Sequence, residues 1–149
     1  MSASEHLLFV YGTLRRAVGA PAHRLFSAYA DFFDDGYVAA RLYDLGDYPG
    51  LVLSQDGGDR VIGELYTLRT PEPTLTLLDR YEGVAGTRGD APAQYRRIKV
   101  PVTSQNGRVY TAWIYEYLLD VGDRPLVRTG DYLDFLRNSG RHLGLQPDV

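Results

Sequence analysis

The chain of 149 residues contains no cysteine, one methionine and one tryptophan. The missing cysteine excludes a thiol nucleophile, a thiolate metal site and a disulfide framework together. It also fits a reducing compartment. The three histidines, His6, His23 and His142, are scattered without metal-ligand spacing and read as surface residues. No serine stands in a Gly-x-Ser-x-Gly elbow, and neither a phosphate loop nor a dinucleotide fingerprint is present. Serine hydrolases, metalloenzymes and nucleotide enzymes are therefore poor matches. There is no basic excess: the formal charge is −3. A binder of phosphate backbones would normally carry a basic stripe, so nucleic acid is not an expected partner. The N-terminal segment has no basic start, and its apolar run stops at Gly12. Neither a secretory core nor a membrane span is legible, which makes a cytoplasmic protein without a membrane partner the expectation. Oligomeric state is not legible.

The length suits a single domain over residues 1–149, able to bury roughly 68–70% of its unfolded surface. Leu7 to Tyr11 is a continuous apolar run, as in a strand buried on both faces. Val38 to Tyr43 and Leu51 to Leu53 flank the turn Gly46-Asp47-Tyr48-Pro49-Gly50, and Arg60 to Leu68 reads as a further strand. Tyr95 to Thr103 and Arg108 to Leu118 are joined through Asn106-Gly107, a hairpin signal because both residues tolerate positive φ. Period two puts Val109, Thr111, Trp113, Tyr115 and Tyr117 on one face. Helices are expected over Ala22 to Phe33, from Pro71 behind the cap Thr70 to a stop at Gly83, and over Asp131 to Asn138 before Gly140. The fold class is α+β, a mostly antiparallel sheet curled into a small barrel with a few short helices. The longest expected loop is Gly83 to Pro92.

One residue conflicts with its surroundings. With Leu75 at zero on a helical wheel, Leu78 falls near ~300° and Glu82 near ~340°. Glu82 thus shares the buried face with two leucines, while Leu77 and Tyr81 widen the apolar arc. Burial, the like charge of Asp79 at i−3 and the negative end of the helix would each raise a carboxyl pKa there. Such a group suits proton shuttling near neutral pH. The segment equally allows a last turn that frays before Gly83 and leaves Glu82 in water.

A second feature is Tyr11-Gly12-Thr13-Leu14, where a buried strand ends at glycine. Without a side chain at Gly12, consecutive N–H groups can form a nest for a carboxylate or an oxyanion. An ordinary strand-ending turn has the same sequence. The third feature is the count of 12 tyrosines against 5 phenylalanines. Tyrosine buries its ring and hydrogen-bonds its hydroxyl, so a tyrosine-rich sheet can line a wet cavity or lie half-exposed on its strands.

In order along the chain, Phe9-Val10-Tyr11-Gly12-Thr13-Leu14-Arg15, Leu42 to Gly50, Val61-Ile62-Gly63-Glu64-Leu65-Tyr66, Leu78-Asp79-Arg80-Tyr81-Glu82-Gly83, Tyr95-Arg96-Arg97 and Ala112-Trp113-Ile114-Tyr115 resemble the gamma-glutamylcyclotransferase-like family. The resemblance implies a small mixed barrel with a cavity at one end. It implies that the backbone of Tyr11, Gly12, Thr13 and Leu14 holds a γ-glutamyl group, that Glu82 is the catalytic acid/base, and that Tyr48 and Tyr115 line the cavity. The implied reaction closes the γ-glutamyl group of a small-molecule substrate to 5-oxoproline and releases an amine or amino acid. Its nucleophile belongs to the substrate, so no metal or cofactor is implied. A non-catalytic module that binds a small carboxylate in the same cavity is the alternative. Asp79 and Glu64 stand next in line for the proton role.

Overall fold

The computed structural model describes residues 6–12, 14–16, 21–46, 48–55, 58–82, 84 and 93–139. Thr13, Gly83, Gly140, His142 and, apart from Val84, the expected loop up to Pro92 lie outside these residues.

Seven strands and three helices are formed by the described residues. They run in the order β1 (Leu7–Val10), α1 (Pro21–Ser27), β2 (Ala30–Val38), β3 (Ala40–Asp44), β4 (Pro49–Leu53), β5 (Val61–Leu68), α2 (Pro71–Glu82), β6 (Tyr95–Ser104), β7 (Val109–Tyr117) and α3 (Tyr132–Ser139). Five strands close into a barrel, β1-β5-β2-β6-β7, and β3-β4 form a separate hairpin. The barrel closes where β1 meets β7 in parallel at Leu8 and Trp113. Its other pairs are antiparallel. The mixed α+β barrel read from the sequence is the observed architecture.

Period-two side chains divide the core into two layers. Leu7 and Phe9 join Leu65, Ala112, Ile114, the β3-β4 hairpin and α3 in one cluster. Leu8 and Val10 join Tyr66, Leu75, Leu78, Tyr95 and Tyr115 in the other, covered by α1 and α2. All of β1 is buried, which accounts for its unbroken apolar run. In β7, Trp113, Tyr115 and Tyr117 lie against the second cluster, as the alternation predicts.

The turn between β6 and β7 closes a hairpin, as Asn106-Gly107 suggests, but of those two residues only Gly107 takes a positive φ. Gly107 has φ +88°, its N–H donates to the Ser104 carbonyl at 2.9 Å, and the Arg108 N–H donates to Asn106 Oδ1 at 2.9 Å. Helix α2 starts after Thr70, whose carbonyl accepts from the Thr74 N–H at 3.1 Å. Its end is closed by the Val84 N–H donating to the Asp79 carbonyl at 3.0 Å.

Two expectations are corrected. The helix expected over Ala22 to Phe33 stops at Ser27, and Ala30 to Phe33 belong to β2. The apolar spacing of Phe26, Phe32 and Phe33 imitates a helix, but pairing with β5, with an irregularity between Phe32 and Asp34, outweighs it. The strand expected from Val38 to Tyr43 is broken at Ala39, where the chain passes from β2 into β3. Among the described residues no helix is long and apolar enough to cross a membrane.

Candidate functional site

Helix α2 presents Thr74, Leu75, Leu78 and Glu82 to the interior. Glu82 is 2% exposed in the last turn, so the buried position read from the wheel is the one observed and the frayed alternative is not. Leu77 differs from expectation. It is 58% exposed, because the buried arc of α2 is narrower than the apolar letters suggest.

Around Glu82 lies a set of polar groups contributed by two further elements. In the register of the β6-β7 hairpin, Arg97 faces Tyr115. Both side chains converge on Asp79, one turn before Glu82. Arg97 donates from Nε to Asp79 Oδ1 at 2.6 Å and from Nη2 to Oδ2 at 3.0 Å, a two-pronged ion pair. The Tyr115 hydroxyl donates to the same Oδ1 at 2.8 Å. The Arg97 guanidinium also lies 4.2 Å from the centre of the Trp113 ring. Its hydrogen bond to Asp79 is the largest influence raising the Arg97 pKa. Burial raises the Tyr115 phenol strongly, helped by the charge of Asp79, the hydrogen bond to it and the charge of Glu82. Asp79, expected from sequence to act on Glu82 as a free like charge, is instead matched by a cation.

The Tyr11 turn reaches the same place. Tyr11 is 1% exposed, and its hydroxyl donates to the Tyr115 carbonyl at 2.7 Å. Tyr115 therefore touches the end of β1 through its backbone and α2 through its side chain. Gly12 closes the following turn, its carbonyl accepting from the Arg15 N–H at 3.1 Å. Leu14 is buried in the cluster beneath α2, and its carbonyl lies 2.7 Å from His23 Nδ1. His23 is thus a half-buried partner of the turn rather than a plain surface residue.

The far side of the turn is held by a second buried carboxylate. Glu64, 2% exposed on β5, accepts from the Arg16 N–H at 3.0 Å and the Tyr66 hydroxyl at 2.8 Å, with Arg15 Nε 3.5 Å away. Arg15 also donates to Asp131 Oδ1 at 2.8 Å, and that carboxylate accepts from the Leu133 N–H at the start of α3 at 3.0 Å. Arg15, Arg97 and Asp131 were not singled out in the sequence. Arg15 and Arg97 stand inside segments that carry the family resemblance, and the observed hairpin register, with Arg97 across from Tyr115, is what gives Arg97 its place.

Tyr48 stands further out. It is half-buried, its hydroxyl donates to Gln94 Oε1 at 3.1 Å, and its ring centre is 6.4 Å from that of Tyr95. Tyr11, Gly12, Leu14, Tyr115 and Glu82 are thus gathered around one end of the barrel, and Tyr48 packs against the same cluster beside Tyr95.

The family model for "Gamma-glutamyl cyclotransferase, AIG2-like" matches residues 8–134. A Vibrio cholerae relative is 38% identical over 130 residues, covering 86% of this chain and 96% of its own. The gamma-glutamylcyclotransferase family protein YtfP of Escherichia coli is 37% identical over 129 residues, covering 85% and 96%. The solution structure of Escherichia coli YtfP superposes with TM-score 0.60 at 32% identity over 87% of this chain and 97% of that one. The crystal structure of a mouse AIG2-like protein gives TM-score 0.69 at 25% identity over 97% and 98%. With the family model spanning most of its length and relatives this similar, the chain belongs to the AIG2-like gamma-glutamyl cyclotransferase family.

Proposed function

We propose that the protein cyclises γ-glutamyl amides to 5-oxoproline, with Glu82 as the acid/base. The observation that carries this reading is a carboxyl buried in the last turn of α2, beside a tyrosine whose backbone anchors the Tyr11–Leu14 turn. In the reaction the substrate's own α-amine attacks its γ-carbonyl carbon. The new C–N bond closes the ring and the amide C–N bond breaks. The α-ammonium group gives up two protons, and the departing nitrogen gains two to leave as an ammonium ion. Glu82 receives these protons and hands them on, one at a time.

Such a site needs no enzymic nucleophile. Holding the amine against the carbonyl supplies roughly 7–11 kcal/mol of the barrier through proximity. Backbone donors of the Tyr11–Leu14 turn would grip the α-carboxylate or the developing oxyanion. The Asp79–Arg97 pair holds the end of α2, and through Tyr115 it ties that end to the turn. Tyr48 would border the cavity near its rim.

The test is release of 5-oxoproline from a panel of γ-glutamyl amines and γ-glutamyl amino acids, comparing wild type with Glu82→Gln. Glutamine keeps the shape and cannot carry the proton, so kcat should fall by about 10²–10⁴. Turnover that survives the substitution would remove Glu82 from the proton role. A wild type that retains a small carboxylate ligand and releases no 5-oxoproline would replace catalysis with binding.

A further inference from the structure

The turn after β1 is followed by buried charges that the proposed reaction does not use. Arg15 is 6% exposed and Glu64 2%. Glu64 Oε1 accepts from the Arg16 N–H and the Tyr66 hydroxyl, and Oε2 faces Arg15 Nε at 3.5 Å. From there the Arg15 guanidinium reaches Asp131, whose carboxylate also accepts from the Leu133 N–H in the first turn of α3. Arg15 closes the turn as well, its own N–H donating to the Gly12 carbonyl at 3.1 Å. One residue thus joins the turn, β5 and α3.

Such a network is a poor source of stability. Desolvating buried charges costs about what their attraction returns, and well-packed apolar side chains of similar volume often do as well. What charges fixed on three elements supply is a single geometry. The turn needs one, because backbone N–H groups hold an anion only when successive residues aim them at the same point. A displacement of ~1 Å in a positioned contact can cost a hundredfold. The entry to the turn is fixed by the Tyr11 hydroxyl on the Tyr115 carbonyl, within the core layer under α2. Its exit is fixed by Arg15 and Glu64 to α3, whose Tyr132, Leu133 and Leu136 belong to the other layer. The turn is clamped between the two.

We propose that Glu64 and Arg15 are positioning residues, through which β5 and α3 hold the turn in the conformation that receives the substrate's α-carboxylate. The inference rests on the cyclotransferase reading above and adds the residues that preset its anion site. Both act through the backbone of the turn. The α-carboxylate is bound alike before and during ring closure, so loosening its site raises KM and leaves kcat in place.

The experiment measures KM and kcat for the γ-glutamyl amide that wild type turns over fastest, in wild type, Glu64→Gln and Arg15→Lys. Gly107→Ala, strained in the β6-β7 turn, serves as a variant destabilised elsewhere. Glutamine at position 64 keeps an acceptor for the Arg16 N–H and takes the anion from Arg15. Lysine at position 15 keeps the charge and lacks the fork that reaches Glu64 and Asp131 together. KM does not depend on how much of the protein is folded. It should rise about tenfold in both network variants, with kcat per folded enzyme within about twofold, and stay at the wild-type value in Gly107→Ala. An unchanged KM in either network variant overturns the inference and leaves the cyclotransferase reading standing. If kcat collapses in Glu64→Gln at unchanged KM, Glu64 has a proton role in place of the positioning one. A comparable rise in Gly107→Ala makes the effect one of general destabilisation and overturns the inference too. If wild type releases no 5-oxoproline from any member of the panel, both readings fall.

Discussion

At the scale of single residues, Asp79 is the point where three elements meet. It accepts two bonds from Arg97 on β6 and one from Tyr115 on β7 while sitting on α2. Its side chain is 16% exposed and that of Arg97 is 22%, so solvent screens the pair only partly. Asp79→Asn keeps the shape, removes the charge and leaves Arg97 half-buried without its anion. The expected loss is about 2 kcal/mol of folding stability, read from urea unfolding. A change below about 0.5 kcal/mol, the range of ordinary surface substitutions, would mean that the pair does not hold α2 to the hairpin. This contact also marks the limit of what could be read from the chain. Glu82 was legible because a carboxylate among leucines violates a helical pattern, which is local information. The partners of Asp79 were not, because a single sequence does not say that α2 packs over β6 and β7. Arg15 was hidden for the same reason, and Glu64, weighed from the sequence only as a substitute for the proton role, shows its tie to Arg15 and Arg16 only once the barrel brings β5 against the turn.

At the scale of elements, the approach of β1 to β5 depends on one missing side chain. A Cβ at Gly63 would stand 2.3 Å from the Val10 carbonyl oxygen and 2.5 Å from Phe9 Cζ. The first of these is backbone and cannot swing aside. Gly63→Ala should therefore cost about 2–3 kcal/mol, or roughly 10 °C in Tm, as β1 is pushed from its partner. At Gly107 the cost has another origin: a Cβ would meet nothing within 4 Å, and only the φ of +88° opposes it. Gly107→Ala should accordingly cost about 1 kcal/mol, and thermal melts of the two variants side by side separate the causes. A Gly63→Ala protein that melts with the wild type would contradict the β1-β5 register. Most elements were readable because pattern and punctuation agree in them, as in β1, α2 and the β6-β7 hairpin. The stretch after α1 was not. Phe26, Phe32 and Phe33 carry a helical spacing, yet Ala30 to Phe33 are strand because β5 offers a full partner edge. Tertiary pairing there overrides the local signal.

For the whole molecule, the seam of the barrel and the candidate site coincide. The parallel contact of Leu8 with Trp113 closes the sheet, and the Tyr11–Tyr115 hydrogen bond continues that seam to the barrel end. Global stability and the geometry of the site should therefore respond to the same buried groups. Two of these are tyrosines. Tyr66 donates to Glu64 and Tyr115 to Asp79, each at 2.8 Å. Burial first, and then the neighbouring carboxylate, raises both phenols well above their ordinary value. In the unfolded chain each would ionise near pH ~10. Below that pH both states keep both protons, and these groups give stability no slope. Above it the unfolded chain releases protons that the fold retains, so stability falls as pH rises, by up to about 1.4 kcal/mol per tyrosine per pH unit. Urea unfolding between pH 10 and 11 should show a loss of about 2 kcal/mol from the pair, and Tyr66→Phe should halve that loss whatever it does to stability at pH 8. If the alkaline slope were the same in wild type and Tyr66→Phe, the Tyr66 phenol would be titrating in the fold as it does in the open chain. The Glu64 cluster that holds the Arg15–Arg16 end of the turn would then lack the donor assigned to it.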